Sequence, residues 1–490
     1  MDRSAWIDGA RRAVVSAVVV VGAAAFVAAL VERDPLIAIG VGGGFVLVSM
    51  FGIADARTPR ALTIRTYRWI PWAWLVLFVV SNHQSNPERT PLDAAAGLAS
   101  LQNVVEIGAY GAIATAIAML WNFRAADGSA RISWGPLVVL PALAGISVLW
   151  SIIPMFSLVR SVQLAVPLAL ALLMARIWRT DPDIGSALWR RSCVALVIGV
   201  SLLVTYGWLA EGLGALLNAD RFTWPYMHPV HAGIYIGAAL LVLVVGGRSF
   251  AGLPPSVHWG LVALLTGSLY LTRTRSALGA FLVAFAVALL LPPRPDAARR
   301  FVGIVWLGGA GVLAWLVAGQ AILTTLARGQ SSDVFTTLNS RVPLWGVAFD
   351  ELSEGSRWFT GFGFGSARVV LFSRVSWAGT AHNAWVELLI GIGVIGCILV
   401  AGAILRTAFR SLAIASAASR SDTRLAASLV VFLLVLSLTT SELAIPGFDY
   451  ALLMLVYTIT LAIDHPRDAR GARERGRETT SRASPAWSEL

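Results

Sequence analysis

Residues 339–396 read NSRVPLWGVAFDELSEGSRWFTGFGFGSARVVLFSRVSWAGTAHNAWVELLIGIGVIG. A polar, arginine-rich stretch with one glycine cluster runs into His382-Asn383 and then straight into an apolar run. A histidine and several arginines are therefore held at a membrane surface. Cations there are expensive unless they meet an anion, and ionisable groups at membrane depth are commonly functional. The pattern points to a site for a lipid-linked phosphate or pyrophosphate.

Composition agrees with the membrane reading. Of 490 residues, 57% are hydrophobic and 13% charged, with mean hydropathy +0.73. Soluble domains carry roughly 25% charged residues. The fold class expected is all-α, a polytopic transmembrane bundle, because the bilayer admits only helices and closed barrels. Every basic residue is arginine and the net charge is +11. That balance does not indicate nucleic acid, since most arginines sit in short loops between apolar runs. Cys193 and Cys397 fall in apolar runs and make neither a disulfide framework nor a metal motif. The N-terminal apolar run is followed closely by a second and shows no cleavage site, so it reads as a first span rather than a signal peptide.

A crossing needs about 20 residues. Apolar runs near 13–31, 36–54, 69–82, 107–123, 134–150, 155–175, 192–210, 230–247, 256–271, 277–293, 301–320, 384–405, 425–442 and 447–463 predict about 12–14 helices. With the N-terminus in the cytoplasm, the basic loops alternate onto one side, from Arg57-Arg68 through Arg190-Arg191 to Arg406-Arg424 and the tail. The outer arginines are few: Arg33, Arg89, Arg221, Arg273, Arg275 and those from Arg328 to Arg374. They break the positive-inside bias and need another explanation. Two outer loops, about 83–106 and about 321–383, exceed usual connection lengths. Residues 466–490 read as a disordered, basic cytoplasmic tail. No internal repeat is evident.

Within the long outer loop, Asn339 or Ser340 can cap a helix from Arg341 to Ser353. Val342, Trp345, Phe349 and Leu352 fall on one face, predicting an amphipathic helix on the membrane or bundle. Arg341 in the first turn opposes the helix dipole, which makes sense if it and the helix start face an anion. The glycines at 361, 363 and 365 read equally as a turn that admits a ligand or as ordinary loop punctuation. His382 is a candidate general base, since imidazole titrates near neutrality. Asn383 and Glu387 add polar groups at the membrane entrance. Thr272-Arg273-Thr274-Arg275-Ser276 is a tight outer turn, and guanidinium suits bidentate phosphate contacts. Asp220 to His231 supplies Arg221, aromatics suited to sugar faces or to an interfacial belt, and the pair His228/His231. Zinc is a weak reading of that pair, because no carboxylate cluster sits beside it.

With these residues laid out, the chain resembles the O-antigen ligase family and its polysaccharide-polymerase relatives. The resemblance covers roughly 134 to 400. It rests on Trp150-Ser151 with Pro154, Ser157 and Arg160; on Arg221 with His228-Pro229; on the Thr272–Ser276 turn; and on Arg341, Trp345, Gly361, Gly363, Gly365 and His382-Asn383. It implies a multi-pass inner or plasma membrane enzyme of the cell envelope with its active site on the extracytoplasmic face. Such a transferase moves a glycan from an undecaprenyl-pyrophosphate-linked donor to a hydroxyl acceptor on a glycan, lipid or protein. No cofactor and no metal are implied, and no nucleic acid partner. By position, His382 is the base, and Arg221, Arg273, Arg275, Arg341 and Asn383 bind substrate. The domains expected are N-terminal helices over 1–133, a catalytic membrane region over 134–463 including loop 321–383, and a tail over 464–490. The alternatives are a polymerase extending a lipid-linked chain, and a transporter or flippase of lipid-linked oligosaccharide. The transporter reading calls for ionisable residues inside helices. These look scarce, with Arg160 the main candidate.

Overall fold

The computed structural model describes residues 67–80, 101–123, 135–211, 221–225, 227–291, 341–355, 357–418 and 420–463. Among them all regular structure is helical. Eleven of the expected runs are helices, and those near 13–31, 36–54 and 301–320 lie outside the described residues. So do positions 321–340 of the long loop, including its expected cap, and the tail from 464. We label α1 Ile70–Val80, α2 Leu101–Phe123, α3 Val139–Ile146, α4 Pro154–Thr180, α5 Pro182–Glu211, α6 Pro229–Leu241, α7 Gly247–Ala251, α8 Pro255–Leu271 and α9 Arg275–Leu290. The loop carries α10 Arg341–Ser353, α11 Arg357–Thr360 and α12 Ala367–Arg374, followed by α13 Ala384–Ala417, α14 Ser421–Ser437 and α15 Phe448–Ala462. Four segments, Pro154–Thr180, Pro182–Ala210, Pro229–Ala251 and Ala384–Ala417, are long and apolar enough to cross a membrane. The second begins well before the expected 192, because Asp183, Arg190 and Arg191 depress hydropathy over turns that are nonetheless helical.

Proline opens α4, α5, α6 and α8. Its missing N–H costs nothing in a first turn, and its φ is already helical. The core sits around α15, which is buried from Phe448 to Leu461 and packs on α1, α4, α13 and α14. A helix apolar all round belongs inside a bundle. Two polar tips on this core find backbone partners. Trp189 Nε1 donates to Leu455 O at 2.9 Å, and the Tyr235 hydroxyl donates to Phe78 O. α1 and α2 join the same core.

One irregularity positions everything above it. α13 breaks at Gly393, whose φ of 70° is left-handed. The loop 359–366 lies in the break. Phe362 N donates to Ile390 O at 2.8 Å and Gly363 N to Gly391 O at 2.9 Å. The other edge of the loop is sewn to the α3–α4 junction. Ile152 N donates to Phe362 O at 3.0 Å, Phe364 N to Ser147 Oγ at 2.9 Å, Ser157 Oγ to Phe364 O at 2.6 Å and Trp150 Nε1 to Thr360 O at 2.9 Å. The glycine cluster is thus a packing device. A Cβ on Gly361 would stand 2.6 Å from Ile390 O, and one on Gly363 would stand 2.3 Å from the Ser151 side chain. The same contacts account for Trp150, Ser151 and Ser157.

α10 forms over the expected residues, but its buried stripe differs. Leu344, Ala348 and Leu352 are buried, while Val342 and Phe349 are exposed. The helix docks on α12 and the 378–390 segment, making a second small core with Ala367, Leu371, Ala381 and Ile390. Spacing alone admitted the neighbouring stripe; the small Ala348 lets the docked face approach closely.

This geometry makes two glycines of α13 behave oppositely. A Cβ on Gly393 would lie 2.1 Å from Phe359 O, whereas one on Gly402 meets nothing within 4 Å. Gly393→Ala should destabilise the purified protein by at least about 2 kcal/mol. Gly402→Ala should leave it unchanged or stabilise it by roughly 0.5 kcal/mol. Thermal unfolding in one detergent compares them, and equal midpoints would refute the account of the break.

Candidate functional site

The inter-helix loops at one end of the bundle are knotted together by short bonds. Arg221 precedes α6 and folds over the α8–α9 turn: its Nε donates to Thr272 O at 2.9 Å and Nη2 to Thr274 Oγ1 at 2.9 Å. Thr274 Oγ1 donates in turn to Pro229 O at 3.0 Å, tying the turn to the start of α6. His228 caps that helix, its Nδ1 accepting from Val230 N at 3.2 Å. From the other side, Arg341 Nη1 donates to Thr439 O at 2.8 Å, and Trp345 Nε1 to Ala381 O at 2.9 Å. Asn383 Nδ2 donates to Leu438 O at 3.0 Å. His231 Nδ1 lies 3.7 Å from Glu442 Oε1 in the turn between α14 and α15. Residues separated by as much as 220 positions thus share one rim.

The electrostatics show the same convergence. Burial lowers the proton affinity of the half-buried Arg221, and Arg275 and Arg273 lower it further. Burial, then Arg275, does the same to Arg341. His382 is pushed down to about 4, first by burial and then by the positive field of Arg341 and by His228 and His231. Its imidazole is therefore neutral at physiological pH. Arg341, His228 and His231 act on it directly, and Arg275 links Arg341 to Arg221, which Arg273 also neighbours. Such a rim favours a bound anion.

The backbone marks the same place. Among the described residues, only two non-glycine positions have positive φ: Arg273 at 50° and His382 at 51°. Left-handed backbone at bulky residues costs about 1–3 kcal/mol and persists where surrounding structure enforces it. Two independent loops carry this strain, and both face one rim. Trp377 stacks on the His382 ring at 6.3 Å between centroids.

Of the residues expected at the site, Arg221, Arg273, Arg275, Arg341 and His382 are brought together. Asn383 is there too, but its side chain serves the scaffold. Its Oδ1 accepts from Trp385 N at 2.9 Å and Val386 N at 3.1 Å, capping α13. His228 and His231 are 6.0 Å apart ring to ring. Among the described residues, no group of three or more His, Cys, Asp or Glu side chains could hold a metal ion.

Buried ionisable residues lie mostly near helix ends, with Arg160 further inside its helix. Arg160 pairs with Glu106 at 3.1 Å and with Gln163 at 2.8 Å. Glu387 and Asp449 are also buried, as is Glu442 in its turn. Arg368 of α12 faces Arg160, Glu387, Glu106 and Glu442, and burial brings it down to about 10. Arg160 and Arg368 share the Phe156 ring, at 5.0 and 5.6 Å. Hydropathy averaging hid Glu106 and Asp449, because each stands alone in an apolar window. Glu442 was readable: a carboxylate between two closely spaced apolar runs needs a partner.

Residues 260–401 match the family model described as O-Antigen ligase. The match takes in the α8–α9 turn, Arg341, the glycine loop, His382 and the broken part of α13. The likeness is to that part of the chain. No curated protein matches the chain.

The neutral state of His382 has a measurable signature. In the folded protein its pKa lies below the ordinary histidine value of 6.5, so folding stability from this group is complete above about 6.5 and falls as pH drops toward 4. Nitrogen-labelled histidine spectra should show the resonance lost in His382→Gln staying neutral from pH 8 to about 5. Arg341→Ala should move its midpoint upward. A wild-type midpoint near 6.5 would contradict the packing and charge described.

Proposed function

We propose that this protein, whose O-antigen ligase family segment holds the arginine turn and His382, transfers a glycan from an undecaprenyl-pyrophosphate-linked donor to a hydroxyl acceptor. The reading places the rim on the extracytoplasmic face, as the alternation of basic loops requires. What supports it best is the linked group of Arg221, Arg273, Arg275 and Arg341, the last beside a neutral histidine, with both left-handed residues in that group.

The chemistry follows from charge. The pyrophosphate diester is anionic in the bound donor and gains further charge as it leaves. Arginines already half-withdrawn from water stabilise that charge without rearranging. Guanidinium holds phosphate oxygens in pairs and so fixes the leaving group's direction. The acceptor oxygen attacks the anomeric carbon as the bond from that carbon to the pyrophosphate oxygen breaks. The bonding pair leaves with the lipid pyrophosphate. The acceptor's proton passes to His382, whose neutral imidazole is ready to take it. Direct displacement inverts the anomeric configuration. An anion beside Arg341 offsets the field that holds His382 down, so donor binding strengthens the base. No step draws on a metal ion.

The test separates binding from chemistry. Lipid-linked glycan extracted from cells lacking this protein serves as donor, and undecaprenyl pyrophosphate as the binding probe. His382→Ala should lower transfer about 10²–10⁴-fold with binding nearly intact. Arg341→Ala, or Arg273 and Arg275 changed together, should weaken binding as well as rate, because phosphate charge is present in both states. Arg341→Lys should restore only part, keeping charge without the fork. Near-normal turnover in His382→Ala removes the base. Unchanged affinity in every arginine variant removes the clamp.

A further inference from the structure

His382 is held in a conformation that an L-residue avoids, and the groups holding it are identifiable. Asn383 is the cap of α13, so Glu387 stands four residues on, in the first helical turn. A carboxylate there is favoured by the helix dipole. In the usual capping box, an acid at the third helical position returns to the amide of the cap itself. Glu387 stands one position later and reaches past the cap. Its Oε2 accepts from Ala381 N at 2.8 Å. The loop so closed contains His382. The residue after the histidine is tied to the same carboxylate through one hydroxyl. Asn383 N donates to Ser441 Oγ at 3.2 Å, and Ser441 hydrogen-bonds Glu387. The amides of the residues on either side of His382 thus lead to one buried side chain, 6% exposed. The positive field of Arg368, on α12, acts on that carboxylate.

We infer that Glu387 is a positioning residue for His382: its carboxylate, through Ala381 N and Ser441, locks the left-handed backbone that presents the imidazole to the arginine rim. Glu387 does not touch the ring and exchanges no proton with it. The inference rests on the reading of His382 as the acceptor base. A misplacement of about 1 Å in a reacting group can cost on the order of 10²-fold in rate, which sets the effect to expect.

The experiment compares Glu387→Ala and Glu387→Gln, each in the wild-type and the His382→Ala background, in purified full-length protein. The donor is the glycolipid extracted from cells lacking this protein, and affinity is read with undecaprenyl pyrophosphate. Glu387→Ala should lower kcat about 10²-fold, with donor KM and undecaprenyl pyrophosphate affinity within about twofold of wild type. Glu387→Gln keeps an oxygen for Ala381 N and should recover most of the rate. In the His382→Ala background neither change should lower the residual rate further, because there is no imidazole left to position. Full activity in Glu387→Ala would overturn the inference. So would an equal loss in both backgrounds, which is the mark of a general structural role. If Glu387→Ala does not fold, Glu387→Gln carries the comparison with a smaller loss of about threefold or more, again absent without His382. Failure of the base reading itself shows separately, as turnover in His382→Ala alone.

Discussion

A helix broken inside an apolar layer leaves carbonyls without their amides four residues on, and no water is there to replace them. At Gly393 that debt falls on Ile390 and Gly391, and the amides of Phe362 and Gly363 meet it. The repair is specific, because only glycine lets the loop come close enough on its own side and on the side of Ser151. Once the loop is seated, α12 and the docked α10 are fixed relative to α13. The segment that ends in His382 is then pinned between Trp345, Ser441 and Glu387. The left-handed histidine is the far end of a chain of backbone repairs that begins eleven residues deeper in the bundle.

The same arrangement resolves a conflict of charge. Cations crowded at a rim repel one another, and each loses proton affinity as it loses water. The hydrogen bonds of Arg221 and Arg341 go to carbonyl and hydroxyl oxygens: Thr272 and Thr274 for Arg221, Thr439 for Arg341. These fix direction without supplying negative charge. The carboxylates nearby are turned to other work, Glu387 to the backbone and Glu442 toward His231. A rim that gathers several guanidinium groups suits an anionic ligand.

Much of this was legible in the sequence, and the rest was not for physical reasons. Arg273, Arg275 and Arg221 stood out because they contradict the charge bias of loops, a signal that needs no coordinates. Eleven helices were visible in hydropathy alone. Of the face expected on α10, Leu352 and Trp345 pack on the docked core while Val342 and Phe349 stay exposed, because Leu344 and Ala348 fit a helical face equally well and only the docking surface decides. Asn383 looked like a ligand group because it adjoins His382, yet its oxygen is consumed by two helix amides. The roles of Arg368 and Glu442 depend on contacts across tens to hundreds of residues. No local pattern carries those.

The central claim is that the rim of Arg221, Arg273, Arg275 and Arg341 seats a lipid pyrophosphate beside His382. A cryo-electron microscopy structure of the full-length protein with undecaprenyl pyrophosphate addresses it directly. The account predicts diphosphate density in contact with Arg341 and with at least one arginine of the α8–α9 turn, with the His382 ring facing it and its backbone still left-handed. Diphosphate density seated elsewhere on the bundle, with those arginines unmoved and uncontacted, would contradict it.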